Sequence, residues 1–361
     1  MNKYDYLIVG AGFSGSVLAE RLNSINKKVL VIDKRNHIGG NSYDFYDENG
    51  VLIHKYGPHY FRTDSELIVN YLSKFTDWRP YNYKVRVSIN GELYPFPINR
   101  NTLNQFFKVD LNTEEEAKNF LESKKVNITN PKNAEEQVLS TLGAEIYEKF
   151  FKNYTIKQWN TNPKNLDPSV TARIPLRYDT NDNYFNEKFQ AMPLKGYTNL
   201  FKRLLENVNV WLNTNYFDIK NDINYEKLIF TGPIDAFFDH IYGKLPYRSL
   251  KFKSENYNQK FYQNWLQINY PNNFKFTRIV EIKHATGQKC TNTTIVKEFP
   301  SNSGKPFYPI PNPANRKKYL LYKKEASQIE NVYFIGRLAN YEYLNMDQVI
   351  KNALLLFNKI K

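Results

Sequence analysis

A chain of 361 residues can bury a full core, and its length suits two domains or one domain with large insertions. No run of about 20 apolar residues occurs, so no membrane-spanning helix is expected, while a single cysteine, Cys290, excludes an internal disulfide framework and fits a reducing cytoplasm. The net charge of +14 would suit nucleic acid, anionic lipid or a phosphorylated small molecule, but the lysines are scattered among asparagines with no dense basic arm, which argues for a solvated surface and against nucleic acid. Tyrosine is in excess, at 28 residues, and that excess needs its own account.

The first segment, YDYLIVGAGFSGSVLAERL, is an apolar strand running into a glycine turn and a helix; since it opens on a core strand, no signal sequence is expected. Gly10-x-Gly12-x-x-Gly15 is the spacing of a dinucleotide turn: one glycine for the turn, one for close backbone approach to a pyrophosphate, one for packing of helix on strand. The helix beginning there points free N–H groups at phosphates. KKVLVIDKR predicts a second strand, Val29 to Ile32, ending at Asp33, where an acid holds ribose hydroxyls in this fold. Arg35 follows, then a second glycine pair, Gly39-Gly40, before Asn41. A nicotinamide enzyme has no need of that pair, whereas in a class of FAD proteins it lets the chain pass the flavin phosphate and ribitol. The sequence therefore reads as an FAD-binding, Rossmann-like α/β domain.

Farther along, Val85, Val87 and Ile89 alternate towards Asn90-Gly91, a hairpin signal closed by Pro95 and Pro97. Thr113-x-x-Glu116 predicts a capping box, and Val138, Leu142, Ile146, Phe150 and Tyr154 recur at a helical spacing that predicts one helix ending in FFKNYTIKQW. Aromatic residues at that spacing suit a core as well as they suit a ligand, but Tyr154, where the chain turns polar, makes a nucleobase platform credible, since a stacked base contributes roughly 1–3 kcal/mol. NFKFTRIVEIK, 273–283, predicts a strand with Phe274, Phe276, Arg278, Val280 and Ile282 on one face and Lys275, Thr277, Glu281 and Lys283 on the other. An arginine on an apolar face needs an anion; a structural salt bridge would serve, and so would a ligand phosphate gripped in bidentate fashion. Arg177 is a second candidate for that task. EKLIFTGP and NVYFIGRLANYEY predict strands returning to the first domain. His54 and His59 lie near the FAD elements and can be core histidines or flavin neighbours. No Cys-x-x-Cys, metal-ligand spacing or Gly-x-Ser-x-Gly elbow occurs.

Over essentially the whole chain, DYLIVGAGFSG, KKVLVIDKRNHIGGNSY, IHKYGPHYFRT, YTIKQW, RIPLR, DNYF, TGPID, YRSLKF, FTRIVEIKH, PFYPI and GRLANYEY together resemble the bacterial UDP-galactopyranose mutases. The resemblance implies non-redox flavin chemistry, in which reduced flavin N5 attacks the anomeric carbon with UDP as leaving group and the sugar recloses as the furanose. It implies that Arg177 and Arg278 grip the pyrophosphate, that Tyr308 and Tyr343 contact it, that Phe150, Phe151 and Tyr154 hold uracil, and that Trp159, Tyr184 and Asn269 line the substrate site. FAD would be held by Gly10, Gly12, Phe13, Ser14, Gly15, Asp33, Lys34, Arg35, Gly40, Asn41, His54, Tyr56, Gly57, His59, Gly336, Arg337, Tyr343, Asn345 and Met346, with Arg337 and the helix start at Asn345 favouring the anionic reduced flavin. The tyrosine excess would fit a cleft that binds phosphate with hydroxyl donors.

The chain departs from the family pattern at Arg62, where a histidine is usual, and at Leu344, Asn345 and Asp347. These bear on the identity of the sugar. Arg62 beside the sugar would admit UDP-N-acetylgalactosamine as well as UDP-galactopyranose, whereas pairing with a nearby acid such as Asp64 would leave it no part in specificity; His59 and Arg62 join the two arginines as candidate catalytic residues. An NAD(P)H-type reductant, a homodimer and a cytoplasmic location are implied, and no metal. The alternatives are the same chemistry on another nucleotide-pyranose, a flavin amine oxidase, or a basic flavin-containing binding protein. The expected division is an FAD domain over 1–80, 195–243 and 315–361, a helical part over 98–172, and an antiparallel sheet domain over 81–97, 173–194 and 244–314.

Overall fold

The computed structural model describes residues 3–361. Five strands form a parallel sheet in the order Asn209–Trp211, Val29–Ile32, Tyr4–Val9, Tyr225–Phe230, Val332–Phe334. Leu7, Ile8 and the run Leu30 to Ile32 have no exposed surface, as expected for strands covered on both faces. Helix Phe13–Asn23 packs on the terminal helix Met346–Ile360, and the Tyr6 hydroxyl donates to the Ile360 carbonyl at 2.7 Å, tying the two ends of the chain. The turn between Val9 and Phe13 is built on glycine for steric reasons. A Cβ on Gly15 would lie 1.9 Å from the Gly10 carbonyl, and one on Gly40 would lie 2.9 Å from Gly12 Cα. The two glycine turns therefore touch.

A seven-stranded sheet lies beside this domain, in the order Tyr308–Pro309, Tyr247–Tyr257, Thr293–Ser301, Arg278–Val280, Gln267–Asn269, Val85–Ile89, Glu92–Phe96. It is antiparallel except where Gln267–Asn269 runs parallel to Val85–Ile89. The hairpin falls on Asn90 and Gly91, both at positive φ, as a tight turn between twisted strands requires. Phe61–Thr63, Phe189–Pro193 and Trp78–Pro80 form a small third sheet that bridges segments distant in sequence.

The helical part differs from expectation in two places. The periodic run from Val138 to Tyr154 is broken: helix Ala134–Leu142 stops at Gly143, whose φ of +84° and contact with the Lys124 carbonyl leave no room for a side chain, and the chain continues through a π-helical turn, Tyr147–Lys152, into helix Asn153–Trp159. The extra residue in such a turn shifts register, so Phe150 and Phe151 both face inwards. The cap at Thr113 is half a box: Thr113 accepts from the Glu116 N–H, but the Glu116 carboxylate reaches past it to the Asn112 N–H.

The segment 273–283 is also shorter as a strand than its alternation predicts. Only Arg278–Val280 pairs; Phe274 sits at φ +65° in a turn, and Lys283 begins a short helix. Glu281 and Lys283, placed by alternation on a polar face, are buried. Glu281 accepts from the Tyr262 and Gln263 N–H groups and the Thr293 hydroxyl, and Lys283 Nζ donates to the carbonyls of Lys260, Cys290 and Asn292, each at 2.8 Å. A buried charge with a full set of partners anchors the chain just beyond Arg278. Lys283→Met, which strands three carbonyls, is expected to lower stability by about 3 kcal/mol, read as a lowered denaturant midpoint; an unchanged midpoint would show that water replaces the ammonium.

Candidate active site

The two sheets and the helical part enclose a cleft of about 1140 Å³, above the roughly 300–1,000 Å³ typical of a single small-ligand pocket. The floor comes from strand register. Val87, Asn269, Arg278 and Glu298 stand opposite one another on successive strands, forming one transverse row, and all four line the cleft. Arg278 Nη2 donates to Glu298 Oε1 at 2.8 Å, and the carboxylate is 1% exposed. The anion required by an arginine on an apolar face is thus partly internal. Burial alone would lower the Arg278 pKa, but Glu298 raises it well above its ordinary value. Arg278 Nε finds no partner.

The candidate residues divide by place. His59, Arg62, Phe150, Phe151, Tyr154, Trp159, Tyr184, Asn269, Arg278, Tyr308 and Tyr343 line the cleft, as do Asn41, Tyr56, Gly57, Arg337, Asn345 and Met346. Gly10, Gly12, Phe13, Ser14, Gly15, Asp33, Lys34, Arg35, Gly40, His54 and Gly336 lie outside its wall, most of them along the glycine turns. Phe13 is a core residue, packed on Phe201 and Tyr197. Asp33 is held by the Ala11 and Arg35 N–H groups, each at 2.9 Å, which leaves further lone pairs for hydroxyl donors.

Arg177 is not in the cleft wall. Its Nη2 donates to the carbonyls of Asn183 and Phe185 and to Asn186 Oδ1, closing the loop that follows it. The first arginine of the same motif, Arg173, lines the cleft instead, with its guanidinium 4.8 Å from the centre of the Tyr343 ring; Arg337 lies 4.9 Å from the same ring. Of the two arginines in the motif, the one expected in the cleft is not in its wall, because spacing alone does not say which arginine spends its donors on its own loop. The expectations also left out Glu298, Gln267, Phe185 and Glu187; of these only Glu298, an acid alternating with Val296 and Pro300 along a strand, left a trace in the sequence. Arg62 pairs with Glu187 rather than Asp64: Nε lies 2.9 Å from Glu187 Oε1, close enough for an ion pair but too bent for a hydrogen bond, and the guanidinium lies 3.8 Å from the Phe185 ring centre. Asp64 accepts from the Lys188 N–H.

The phenols tune one another through the arginines. Tyr308 stacks on Tyr343 with centres 5.5 Å apart. Burial raises the Tyr154 phenol to about 12 and raises Tyr308 too, whereas Tyr343, which keeps 43% of its surface exposed, falls below the ordinary value because Arg173 and Arg337 lie against its ring. Around Tyr343 the cleft is therefore an arginine-rich, phenol-lined slot, while Asp64, Asp167, Glu187 and Glu342 lie elsewhere in its wall. The tyrosine excess is only partly explained by it, since Tyr6, Tyr83, Tyr197 and Tyr322 are fully buried core residues.

The family model described as UDP-galactopyranose mutase matches residues 149–343, which span the aromatic stretch from Phe150 to Trp159, the loop of Arg173, the Arg278–Glu298 row and Tyr343. The chain belongs to the UDP-galactopyranose mutase family. It is similar to a probable UDP-galactopyranose mutase of Klebsiella pneumoniae, at 39% identity over 98% of this chain and 94% of that protein, and to a dTDP-fucopyranose mutase of Escherichia coli, at 37% identity over 98% and 97%. A crystal structure of reduced UDP-galactopyranose mutase shares the fold, with a TM-score of 0.80 at 16% identity over 99% of this chain and 95% of that one. Residues 8–75 match a Rossmann-like NAD(P)-binding domain. The protein is thus an isomerase of the mutase family on a flavoprotein fold; the amine-oxidase and binding-protein readings fall away.

Two histidines give the mutase a defined acid sensitivity. His54 is buried and His59 stands partly exposed in the cleft wall, and removal from water lowers both from 6.5 to about 3. His54 Nδ1 accepts from the His59 N–H, and its Nε2 has no partner. Because folding favours the neutral rings, their stabilising effect is complete above about pH 6.5 and is lost as pH falls towards 3. The unfolding temperature is expected to fall across that window, and His54→Phe to flatten the slope; a slope identical to wild type would assign the acid sensitivity to other groups.

Proposed function

We propose that the cleft binds a UDP-hexopyranose with uracil towards Phe150, Phe151 and Tyr154, the pyrophosphate between Arg173 and Arg278 beside Tyr308 and Tyr343, and the sugar near His59, Arg62 and Arg337. The observation that carries this reading is the convergence of Arg173, Arg278 and Arg337 on one slot with a single buried counter-charge, Glu298. Three guanidiniums around one buried carboxylate suit a diphosphate. Arg173 replaces Arg177 in the pair that holds the leaving group, and Arg177 acts by shaping the loop that carries Tyr184 and Phe185. Fixed donors aimed at charge that develops as UDP departs lower the barrier without reorganisation.

The dinucleotide in this reading is FAD. The touching glycine turns leave room for backbone alone at the phosphates, Asp33 keeps free lone pairs for a ribose, and Arg337 Nε is buried without a partner beside the cleft. Gly10, Gly12, Gly15, Asp33, Gly40 and Asn41 would hold it, with Arg337 and the amino end of helix Met346–Ile360 supplying positive potential for a reduced ring. When bound and reduced, the flavin supplies a nucleophilic nitrogen to the anomeric carbon. A nicotinamide-type reductant, a homodimer and a cytoplasmic setting complete the proposal as family expectations.

For the sugar, Arg62 is the distinguishing side chain. Held against Phe185 and Glu187 at the cleft wall, it is positioned to donate to an acceptor such as a 2-acetamido carbonyl, and hydrogen-bonded discrimination of this kind can be large. UDP-galactopyranose and UDP-N-acetylgalactosamine are the proposed substrates. The similarity to a dTDP-fucopyranose mutase makes that nucleotide sugar the necessary comparison.

Dithionite-reduced protein incubated with UDP-galactopyranose or UDP-N-acetylgalactosamine is expected to give an isomer of equal mass over many turnovers with no oxygen consumed, and faster than with dTDP-fucopyranose; the oxidised protein is expected to be inactive. Oxygen uptake matched to product would exclude the mutase reading. Arg62→His is expected to shift the kcat/KM ratio towards galactose, and an unchanged ratio would remove Arg62 from specificity. Arg278→Ala and Arg173→Ala should each lower kcat/KM by about a hundredfold or more with flavin still bound, and Arg177→Ala by about tenfold or less; the reverse order for Arg173 and Arg177 would restore Arg177 as the phosphate ligand.

A further inference from the structure

Lys157 belongs to no part of the chemistry described so far, yet its ammonium group is the most heavily engaged lysine near the cleft. Four backbone carbonyls converge on it. Nζ donates to the carbonyls of Tyr270, Asn273 (3.4 Å), Phe274 (3.3 Å) and Phe276 (3.1 Å). All four belong to the turn that leads into Arg278. A ring of carbonyl oxygens around one point charge has the character of a cation site, here filled by a side chain from another part of the fold, and a compact ammonium suits it better than a planar guanidinium.

The turn itself shows what that charge does. Phe274 is a bulky residue at φ +65°, a conformation that costs on the order of 1–3 kcal/mol and persists only where the surroundings over-determine it. Its carbonyl is one of the four facing Lys157, so the strained residue and the ammonium belong to one arrangement. On the other side, helix Asn153–Trp159 carries Lys157 together with Tyr154 and Trp159, both in the cleft wall. The helix and the turn are joined a second time where Asn153 Nδ2 donates to Asn272 Oδ1 and Asn272 Nδ2 to the Lys149 carbonyl, each at 3.0 Å. That second link keeps the two elements adjacent when the first is removed.

We propose that Lys157 is a positioning residue for the nucleotide: by gathering the carbonyls of turn 270–277 it fixes the helix of Tyr154 against the strand of Arg278 and so sets the spacing between base platform and phosphate clamp. The inference rests on the reading of the cleft as a UDP site. It assigns Lys157 no contact with substrate. The residue acts through two elements that do make contact, and a small misplacement of either is enough to weaken binding.

The probe is UDP, titrated calorimetrically into the flavin-loaded protein. Lys157→Met is expected to weaken UDP binding and raise KM by about tenfold, the effect of losing a charged donor to the turn, with flavin content unchanged and kcat within about threefold of wild type. Lys157→Arg, which keeps the charge, is expected to recover part of the affinity. Equal UDP affinity in wild type and Lys157→Met overturns the proposal, as does a loss confined to kcat. A wild-type protein that binds no UDP overturns the cleft reading itself, which separates the two failures. Hydrogen exchange on the wild type gives a test that needs no substitution: UDP is expected to slow exchange in both 153–159 and 270–277, and slowing confined to the helix overturns the coupling.

Discussion

The site depends on one cross-strand pair. Arg278 and Glu298 face each other on neighbouring antiparallel strands, and in so buried a place neither charge is tolerable without the other. The pair fixes the register of the sheet at the point where it becomes the floor of the cleft, with Asn269 continuing the row on the next strand. Only one guanidinium nitrogen is spent on Glu298. Arg278 is therefore both a structural ion and a free donor, and the two readings that its place on an apolar face suggests are not alternatives.

Opposite this rigid floor stands a loop organised by its own arginines. Arg177 donates to the carbonyls of Asn183 and Phe185, and Asp182 pairs with Arg86, whose guanidinium in turn lies 3.5 Å from the centre of the Trp265 ring. These contacts hold the loop down and present Tyr184, Phe185 and Glu187 to the cleft. Arg173, four residues earlier, has no such task and lies over Tyr343. A guanidinium resting on a phenol keeps most of its donors free. The division of labour follows from where each side chain can reach, not from its type.

A third element is a pair of neutral imidazoles, His59 in the cleft wall and His54 behind it. Burial keeps His54 and His59 uncharged, so the positive potential of the slot comes from arginines that do not titrate in the working range. The long carbonyl-gathering side chain of Lys157 belongs to the same economy of charge, holding the helical part against the sheet without adding an acid to the cleft.

Much of this was legible in the sequence. The glycine spacing, Asp33, the Asn90-Gly91 hairpin and the central apolar strands are local signals, each set by sterics or by a period of two, and they hold whatever the rest of the chain does. The motifs shared with the mutases, from YTIKQW to the turn at Arg337, carried the family and most of the cleft wall. Tertiary structure decided the rest. Gly143 broke a helix whose apolar period runs straight through it, because the Lys124 carbonyl occupies the space a continuous helix would need. Glu281 and Lys283 were buried against an alternating pattern, because backbone groups from distant segments satisfied them. Arg173 and Arg177 differ only in what surrounds them, and Arg62 found Glu187 rather than Asp64 because strand Phe189–Pro193 pairs with Phe61–Thr63 and brings the acid alongside. Sequence fixes what a residue can donate, accept or bury; which of its possible partners it meets is set by chain segments far away, and no local pattern encodes them.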